Sequence, residues 1–251
     1  MSEAGVIRRR SFRRRLVARA GVDEAILHAL RERPDALIEQ GTILKPGDRC
    51  TVARIAGPSN EGGGGGGGGS GGGGGAVIKR YNRRGLFHTL THLLARSRAS
   101  WCWANAQRVR AAGLRTPTPL AFVEERWGPF RGRSFLIVEH VPGVPLVEWV
   151  VAHANDARVI EAMADRFADI WRALGKARLG HGDMKATNFL VDGAGELWLI
   201  DLDGMRPHPP GPTLARARKR DRARFLRNWQ DRPEVQAIFQ SRLDTSARRV
   251  G

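Results

Sequence analysis

Cysteine is scarce in this sequence: Cys50 and Cys102 are the only two among 251 residues. So few sulfur atoms exclude a disulfide framework and a zinc site built from cysteines. Long apolar runs are also missing, because stretches such as Phe135–Val138 and Leu197–Ile200 are far too short to span a bilayer. The first residues contain no apolar segment of the kind that secretory signals carry. We therefore expect a protein of the cytosol.

The sequence has a large excess of positive charge. It contains 42 Lys and Arg residues against 25 Asp and Glu residues, a formal net charge of +17, and only five of the basic residues are Lys. Arg favours planar, two-bond contacts with phosphate and carboxylate groups. Nucleic acid, an anionic membrane surface and a phosphorylated substrate all suit such a field, and so does a solvated Arg-rich surface without a partner. Charge alone does not decide among them.

Composition divides the chain into three segments. Residues 1–41 begin with an Arg-rich stretch, either a solvated arm or a basic amphipathic helix at a membrane surface, followed by a helical pattern that Pro34 interrupts. Residues 42–138 combine short strands with one helix, and residues 62–75 within them, thirteen Gly and one Ser, are expected to form a flexible loop. Residues 139–251 are mainly helical and contain one hairpin. This order indicates an α+β protein with two unequal lobes.

The residues that carry chemistry lie on both sides of that hairpin. His181-Gly182-Asp183, with Asn188 five residues later, precedes it, and Asp201 follows its second strand. The arrangement puts two carboxylates and an amide at one end of two strands, which is the set that phosphoryl transfer needs. One carboxylate orients the acceptor hydroxyl and accepts its proton, while an amide and a second carboxylate hold Mg²⁺ on the phosphates. Lys79 on an earlier strand is well placed to neutralise the α- and β-phosphates of ATP.

This combination resembles the catalytic loop of the protein-kinase-like superfamily, in the His-Gly-Asp form of small-molecule kinases. The finer pattern is similar to the bacterial lipopolysaccharide kinase family, which phosphorylates heptose or Kdo sugars of the inner core. The supporting segments are Val77–Asn82, Ala112–Pro119 and Ile200–Asp203. The resemblance implies a two-lobed protein-kinase-like fold, with a small β-rich N-lobe over residues 42–138 and a mainly helical C-lobe over residues 139–251.

The resemblance also implies roles for residues around the catalytic loop. Asp183 would be the catalytic base, and Lys185 would contact the transferring phosphate. Asn188 and Asp201 would be the Mg²⁺ ligands. Asp203 would either assist the metal or cap the turn that follows it.

The nucleotide would be held by residues earlier in the chain. By the same resemblance, Lys79 contacts the ATP phosphates, and the turn that contains Lys45 and Gly47 covers the nucleotide. Glu139 to Val141 would be the hinge, which offers backbone groups to adenine. ATP and Mg²⁺ are therefore the expected cosubstrate and cofactor.

One feature departs from the usual kinase pattern. Kinases pair the strand lysine with a Glu on the following helix, but no acid occurs between Glu61 and Glu124. Asn105 and Gln107 are the polar residues that this helix offers to Lys79 instead.

The expected acceptor is an anionic glycolipid, the lipopolysaccharide inner core. Only 50 residues follow Asp201, too few for a large subdomain that docks polypeptides, and those residues are strongly basic. The Arg-rich segments would add a peripheral contact with the inner face of the inner membrane, and nucleic acid is not an expected partner. Two other functions stay open: a kinase of a small alcohol, of the aminoglycoside or choline kinase type, and a catalytically weak pseudokinase that binds anionic surfaces.

Overall fold

The computed structural model describes residues 5–48, 50–56, 75–82, 96–127 and 130–248. The chain divides into two compact units, Met1–Ala104 with Thr118–His140 and Asn105–Pro117 with Val141–Gly251. The glycine-rich segment that was predicted to be a flexible loop lies outside the described residues, apart from Gly75.

The first unit is built on a seven-stranded antiparallel sheet with the strand order β1-β2-β6-β7-β5-β4-β3. Its strands are β1 (Val6–Arg10), β2 (Arg14–Arg19), β3 (Thr42–Lys45), β4 (Cys50–Ile55), β5 (Ala76–Tyr81), β6 (Pro119–Trp127) and β7 (Phe130–Glu139). The described helices that accompany it are α1 (Glu24–Glu32), α2 (Pro34–Glu39) and α3 (Arg98–Ala111), of which α3 continues into the second unit. The predicted break of the first helical segment at Pro34 is confirmed, because Pro34 begins a new helix.

Alternation along the strands gives this sheet two apolar faces. On β5, Ala76 and Ile78 belong to the core cluster that packs under α1 and α2, whereas Tyr81 belongs to a second cluster with Cys102 of α3. Since side chains two residues apart share a face, Lys79 lies on the face of Tyr81. The predicted strand that carries Lys79 is therefore confirmed, and the lysine is half-buried on the face that α3 covers.

The N-terminal Arg-rich segment is a β-hairpin, so the prediction of a solvated arm or an amphipathic helix is wrong for residues 6–19. β1 pairs with β2, and β2 pairs with β6 in the middle of the sheet. The apolar residues alternate with period two rather than following a helical stripe: Leu16 faces one core cluster and Val17 the other. Ser11 closes the turn, because its Oγ accepts from the backbone N–H of Arg14 at 3.1 Å. The segment thus belongs to the same sheet as the strands after residue 42.

The second unit is mainly helical, as the sequence predicts. Its elements are β8 (Val144–Pro145), α4 (Leu146–Ala152), α5 (Ala157–Lys176), β9 (Leu179–Gly180), β10 (Phe189–Val191), β11 (Leu197–Leu199), β12 (Arg206–Pro207), α6 (Pro212–Leu226) and α7 (Pro233–Arg248). The predicted hairpin is β10–β11, and the predicted N-cap Asp156 accepts from the backbone N–H of Val159 at 3.1 Å. None of the described helices in either unit is long and apolar enough to cross a bilayer.

Stacked aromatic rings fix the position of α6 within this unit. Phe225 of α6 stacks on Phe167 of α5, with ring centroids 3.8 Å apart, and meets Phe189 edge to face. Phe189 directly follows Asn188, one of the predicted site residues. The aromatic core therefore holds α6 and the start of β10 in a fixed relation to each other.

The hairpin assignment can be checked by a matched pair of substitutions. Leu16→Ala should lower the free energy of unfolding by about 2–5 kcal/mol. The leucine side chain is 1% exposed, so its removal leaves a cavity in the core. Phe12→Ala, at a tip residue that is 75% exposed, should change it by less than about 0.5 kcal/mol. Urea denaturation followed by tryptophan fluorescence measures both, and equally small effects would contradict the hairpin.

Candidate active site

The loop between β9 and β10 contains the predicted catalytic residues, and a buried carboxylate of α6 holds it in place. The backbone N–H groups of His181 and Gly182 donate to the two carboxylate oxygens of Asp221, at 2.7 and 2.9 Å. Asp221 is a residue of this site that was not predicted from the sequence. It is the sole acid in the Arg-rich stretch that forms α6, and that isolation is the signal that could have found it.

Burial is the largest influence on the pKa values of Asp221 and His181. It raises the pKa of Asp221, although the two N–H donors and His181 act in the opposite direction. Burial also lowers the pKa of His181, against the attraction of the Asp221 carboxylate. The Nδ1 atom of His181 accepts from the backbone N–H of Asp183 at 3.4 Å. This contact requires an unprotonated Nδ1, which agrees with a neutral imidazole.

Asp183, the predicted base, lies in a cluster with two cations. Its Oδ2 is 2.8 Å from the Nζ of Lys185, and its Oδ1 accepts from the Nε of Arg224 at 3.1 Å. Partial burial raises the pKa of Asp183, but the hydrogen bonds from Lys185 and Arg224 outweigh it and hold the pKa below its usual range. The side chain of Asp183 is still 37% exposed, so a substrate can reach it.

The predicted metal ligands adjoin this loop. The Nδ2 of Asn188 donates to the carbonyl oxygen of Asp183 at 2.8 Å, which fixes the plane of the amide. The carbonyl oxygen of Asn188 accepts from the backbone N–H of Ile200 at 2.9 Å, so Asp201, the next residue, lies beside Asn188. Asp201 has φ 59° and ψ 59°, a left-handed conformation that is unusual for a residue with a β-carbon.

Two glycines let the catalytic loop and the Asp201 loop touch backbone to backbone. A β-carbon at Gly182, which has φ +80°, would lie 2.5 Å from the carbonyl oxygen of Gly204. A β-carbon at Gly204 would lie 3.1 Å from the carbonyl oxygen of His181. The contact brings Asp183 and Asp201 to one place within the second unit.

Asn105 does not fill the role that the sequence offered to it. Its Nδ2 donates to the carbonyl oxygens of Leu202 and Met205, at 2.8 and 3.0 Å, and its Oδ1 accepts from Arg108 at 2.9 Å. The buried amide therefore supports the turn that follows Asp201, whereas we expected it to bind Lys79. Gln107, the other polar residue considered, is exposed.

Three of the residues predicted to bind the nucleotide belong to the first unit alongside Lys79. Lys45 ends β3 and is exposed, and the carbonyl oxygen of Gly47 accepts from the Oγ1 of Thr51 at 3.3 Å. The carboxylate of Glu139 accepts from the backbone N–H of Thr118 at 3.2 Å.

Val141, at the other end of the predicted hinge, is buried in the second unit. Lys79 itself has Val52 and Leu136 as its neighbours on the adjacent strands. The nucleotide-binding roles of all these residues stay predictions.

The donors near Asp183 suit a magnesium ion. Asp201 and Asp203 offer carboxylate oxygens, and the Oδ1 of Asn188 accepts no hydrogen bond from the described residues. These are hard oxygen ligands of the kind that Mg²⁺ prefers. In the described part of the chain, no group of three or more His, Cys, Asp or Glu side chains could hold a metal by itself. A bound Mg²⁺ would therefore complete its shell with phosphate oxygens and water, as is usual for this ion.

Comparison with known proteins decides the family. The profile described as the lipopolysaccharide kinase (Kdo/WaaP) family matches residues 64–242. The chain belongs to this family. The match includes the catalytic loop, the hairpin and the Asp201 turn, so the resemblance found in the sequence is confirmed.

Curated relatives agree with this assignment. The chain is 30% identical over 166 residues to the 3-deoxy-D-manno-octulosonic acid kinase of Xylella fastidiosa strain M12, and the match covers 61% of each chain. It is 25% identical over 177 residues to the protein of the same name from Vibrio vulnificus strain YJ016, covering 65% of this chain and 73% of that protein. The match with the Xylella relative thus spans less than two thirds of its length.

A solved structure supports the fold. The structure "WaaP in complex with acyl carrier protein" superposes with a TM-score of 0.61 and 20% sequence identity, covering 92% of this chain and 89% of that one. The predicted α+β, protein-kinase-like fold is confirmed.

The contact between the two loops can be checked by glycine substitutions. Gly182→Ala should lower the free energy of unfolding by at least about 1–2 kcal/mol, because it adds a left-handed strain and a backbone clash. Gly193→Ala in the β10–β11 turn meets no atom within 4 Å and should be neutral or slightly stabilising. Chemical denaturation compares the two, and equal stability of both variants would contradict the contact.

Proposed function

We propose that the protein is an ATP- and Mg²⁺-dependent kinase that phosphorylates a sugar hydroxyl of the lipopolysaccharide inner core. The observation that carries the proposal is the cluster in the second unit, where the Asp183 carboxylate pairs with Lys185 and adjoins Asn188 and Asp201. We favour Kdo as the acceptor because the curated relatives are named for it, and heptose is the alternative.

Asp183 is the base in this mechanism. The acceptor hydroxyl donates a hydrogen bond to the Asp183 carboxylate, which orients its oxygen toward the γ-phosphorus of ATP. As the bond from that oxygen to phosphorus forms and the bond to the ADP oxygen breaks, the hydroxyl proton passes to Asp183. The transfer is late, since the transition state is largely dissociative. Lys185 is close enough to Asp183 to compensate the charge of the transferring phosphoryl group.

Other predicted residues would hold ATP and the metal. Asp201 and the amide oxygen of Asn188 would bind Mg²⁺, with Asp203 as a further carboxylate nearby. When bound, the ion neutralises the charge that develops on the β- and γ-phosphates. Lys79 would pair with the α- and β-phosphates, as the strand lysine of the kinase pattern does.

Asp183→Asn tests the proposed chemistry. The variant keeps the size of the side chain and one acceptor oxygen but loses the basicity, so kcat should fall by about 10²–10⁴-fold while the affinity for Mg-ATP changes little. The measurement is transfer of labelled phosphate from ATP to a Kdo-containing lipid A precursor, together with nucleotide titration. Asp169→Asn, which alters an exposed carboxylate of α5, is the matched control.

Three results would contradict parts of this proposal. An unchanged kcat in Asp183→Asn would remove Asp183 as the base. Loss of nucleotide binding in that variant would make the residue structural or a metal ligand. Absence of transfer by the wild-type protein to any inner-core acceptor would favour a pseudokinase.

We also propose that the β1–β2 hairpin contacts the anionic inner face of the inner membrane. Phe12 at its tip is 75% exposed, and Arg10 and Arg13 beside it are exposed as well. The cations of the edge strand β1 would discourage aggregation through that edge. This effect does not explain the exposed ring of Phe12. A ring flanked by cations suits the headgroup region of a bilayer with anionic lipids.

Vesicle binding tests the membrane contact. Arg10→Gln with Phe12→Ser and Arg13→Gln should weaken binding to vesicles of phosphatidylglycerol and phosphatidylethanolamine at least tenfold, since each basic residue contributes about 1 kcal/mol. Arg158→Gln with Lys176→Gln removes two exposed charges from α5 and should have a smaller effect. Flotation assays measure both, with phosphatidylcholine vesicles as the uncharged reference. Unchanged binding of the hairpin variant would exclude this contact.

A further inference from the structure

Arg224 of α6 reaches the predicted base from the same helix that anchors its loop. Asp221 and Arg224 are three residues apart, so they lie on one face of the helix. Asp221 binds the backbone of the loop, and the Nε of Arg224 donates to the Oδ1 of Asp183 at 3.1 Å. The two contacts together fix where the Arg224 guanidinium stands relative to Asp183.

The guanidinium of Arg224 binds Asp183 through its Nε edge, and its Nη1–Nη2 edge is open to solvent. The Nε–H is directed at Asp183, whereas the Nη1 and Nη2 atoms of Arg224 make no hydrogen bond with the described residues. The side chain is 40% exposed. A guanidinium in this state presents two parallel N–H donors, the geometry that matches a carboxylate or phosphate group.

Neighbouring cations of α6 are engaged differently. Arg218 lies over the ring of Trp171 and donates to its carbonyl oxygen at 3.0 Å, and Arg222 pairs with Asp244 at 2.6 Å. These contacts stabilise the packing of the helix. The contact of Arg224 with Asp183 needs another explanation, because Lys185 already pairs with that carboxylate at 2.8 Å.

A second cation beside a general base has a cost for catalysis. It stabilises the ionised carboxylate and so weakens it as a proton acceptor. Such a residue is understandable if it also binds something that the reaction requires. The group that fits its open edge is an anion carried by the acceptor.

We propose that Arg224 binds the carboxylate of an acidic sugar acceptor through Nη1 and Nη2 while its Nε holds Asp183. This inference rests on the proposed kinase function and adds a residue that selects the acceptor. The guanidinium then links the carboxylate of the sugar to the base that takes the proton of its hydroxyl. A neutral sugar would leave the open edge of Arg224 without its anion, and so would bind less well.

The test compares one acceptor in two forms. The first is a Kdo-containing lipid A precursor with its free carboxylate, and the second is the same compound with that carboxyl group converted to a primary amide. Wild type, Arg224→Met, Arg224→Lys and Arg158→Met are assayed with saturating Mg-ATP, and binding of both acceptors without ATP is measured by calorimetry. Arg158 is an exposed arginine at the start of α5 and serves as the matched control.

Arg224→Met should raise KM for the acid form by about 10- to 100-fold and leave KM for the amide form nearly unchanged, because the charge-assisted bonds exist with the acid alone. Arg224→Lys keeps the charge but not the paired donors, and should lie between Met and wild type. KM for ATP should not change in either variant. Arg158→Met should behave as wild type with both acceptors.

The outcomes separate this inference from the proposed function. An equal loss with acid and amide, or no loss with either, would overturn the role of Arg224 while leaving the kinase in place. If wild type transfers no phosphate, the kinase proposal fails, and calorimetry then decides on Arg224 alone. A wild-type preference for the acid form that Arg224→Met abolishes would support the inference, and absence of that preference would overturn it.

Discussion

The candidate site depends on two hydrogen bonds to one buried carboxylate. Asp221 accepts from the backbone N–H groups of His181 and Gly182, 40 and 39 residues earlier in the chain. His181 is fully buried, and a buried backbone donor without a partner costs about 1–3 kcal/mol, so the docking of α6 stabilises the conformation of the loop that carries Asp183. The aromatic stack between Phe225 and Phe167 keeps α6 docked. The residues of α6 that hold the candidate site and those that pack in the apolar core are therefore close neighbours in the sequence.

The elements predicted correctly from the sequence are those with a local pattern. The long helix α5 shows an apolar stripe and an N-cap at Asp156, and the β10–β11 hairpin is bounded by turn residues. The motif from His181 to Asp201 is likewise local enough to be found by spacing.

The errors and omissions involve long-range contacts. The β1–β2 hairpin was missed because its arginines conceal an alternation that matters only once β2 pairs with β6, more than 100 residues later. Asp221 and Arg224 were missed because the isolation of one acid among arginines does not show which loop α6 packs against, 40 residues earlier in the chain. Asn105 was expected near Lys79 on the analogy of a kinase glutamate, but its amide binds carbonyl groups of Leu202 and Met205.

The arginine excess has several separate uses in the described structure. Arg133 pairs with Asp35 and Glu125, and hydrogen bonding to Glu125 raises its pKa. Arg15 reaches the buried carboxylate of Glu124 at 3.3 Å, and Arg218 covers Trp171. Many of these contacts use the planar group in ways that an ammonium cannot. The net charge is thus in part a by-product of packing, and it does not by itself identify an anionic partner.

The contact between Gly182 and Gly204 has a mechanical consequence. Where two loops meet through side chains, they can slide past each other as those side chains change rotamer. Here the backbone at Gly182 contacts the backbone at Gly204. The backbone of Asp201 can therefore move away from that of Asp183 only if these two loops separate. We therefore expect the two loops to move together, so that a regulator of this protein would change access to Asp183 and Asp201 rather than the distance between them.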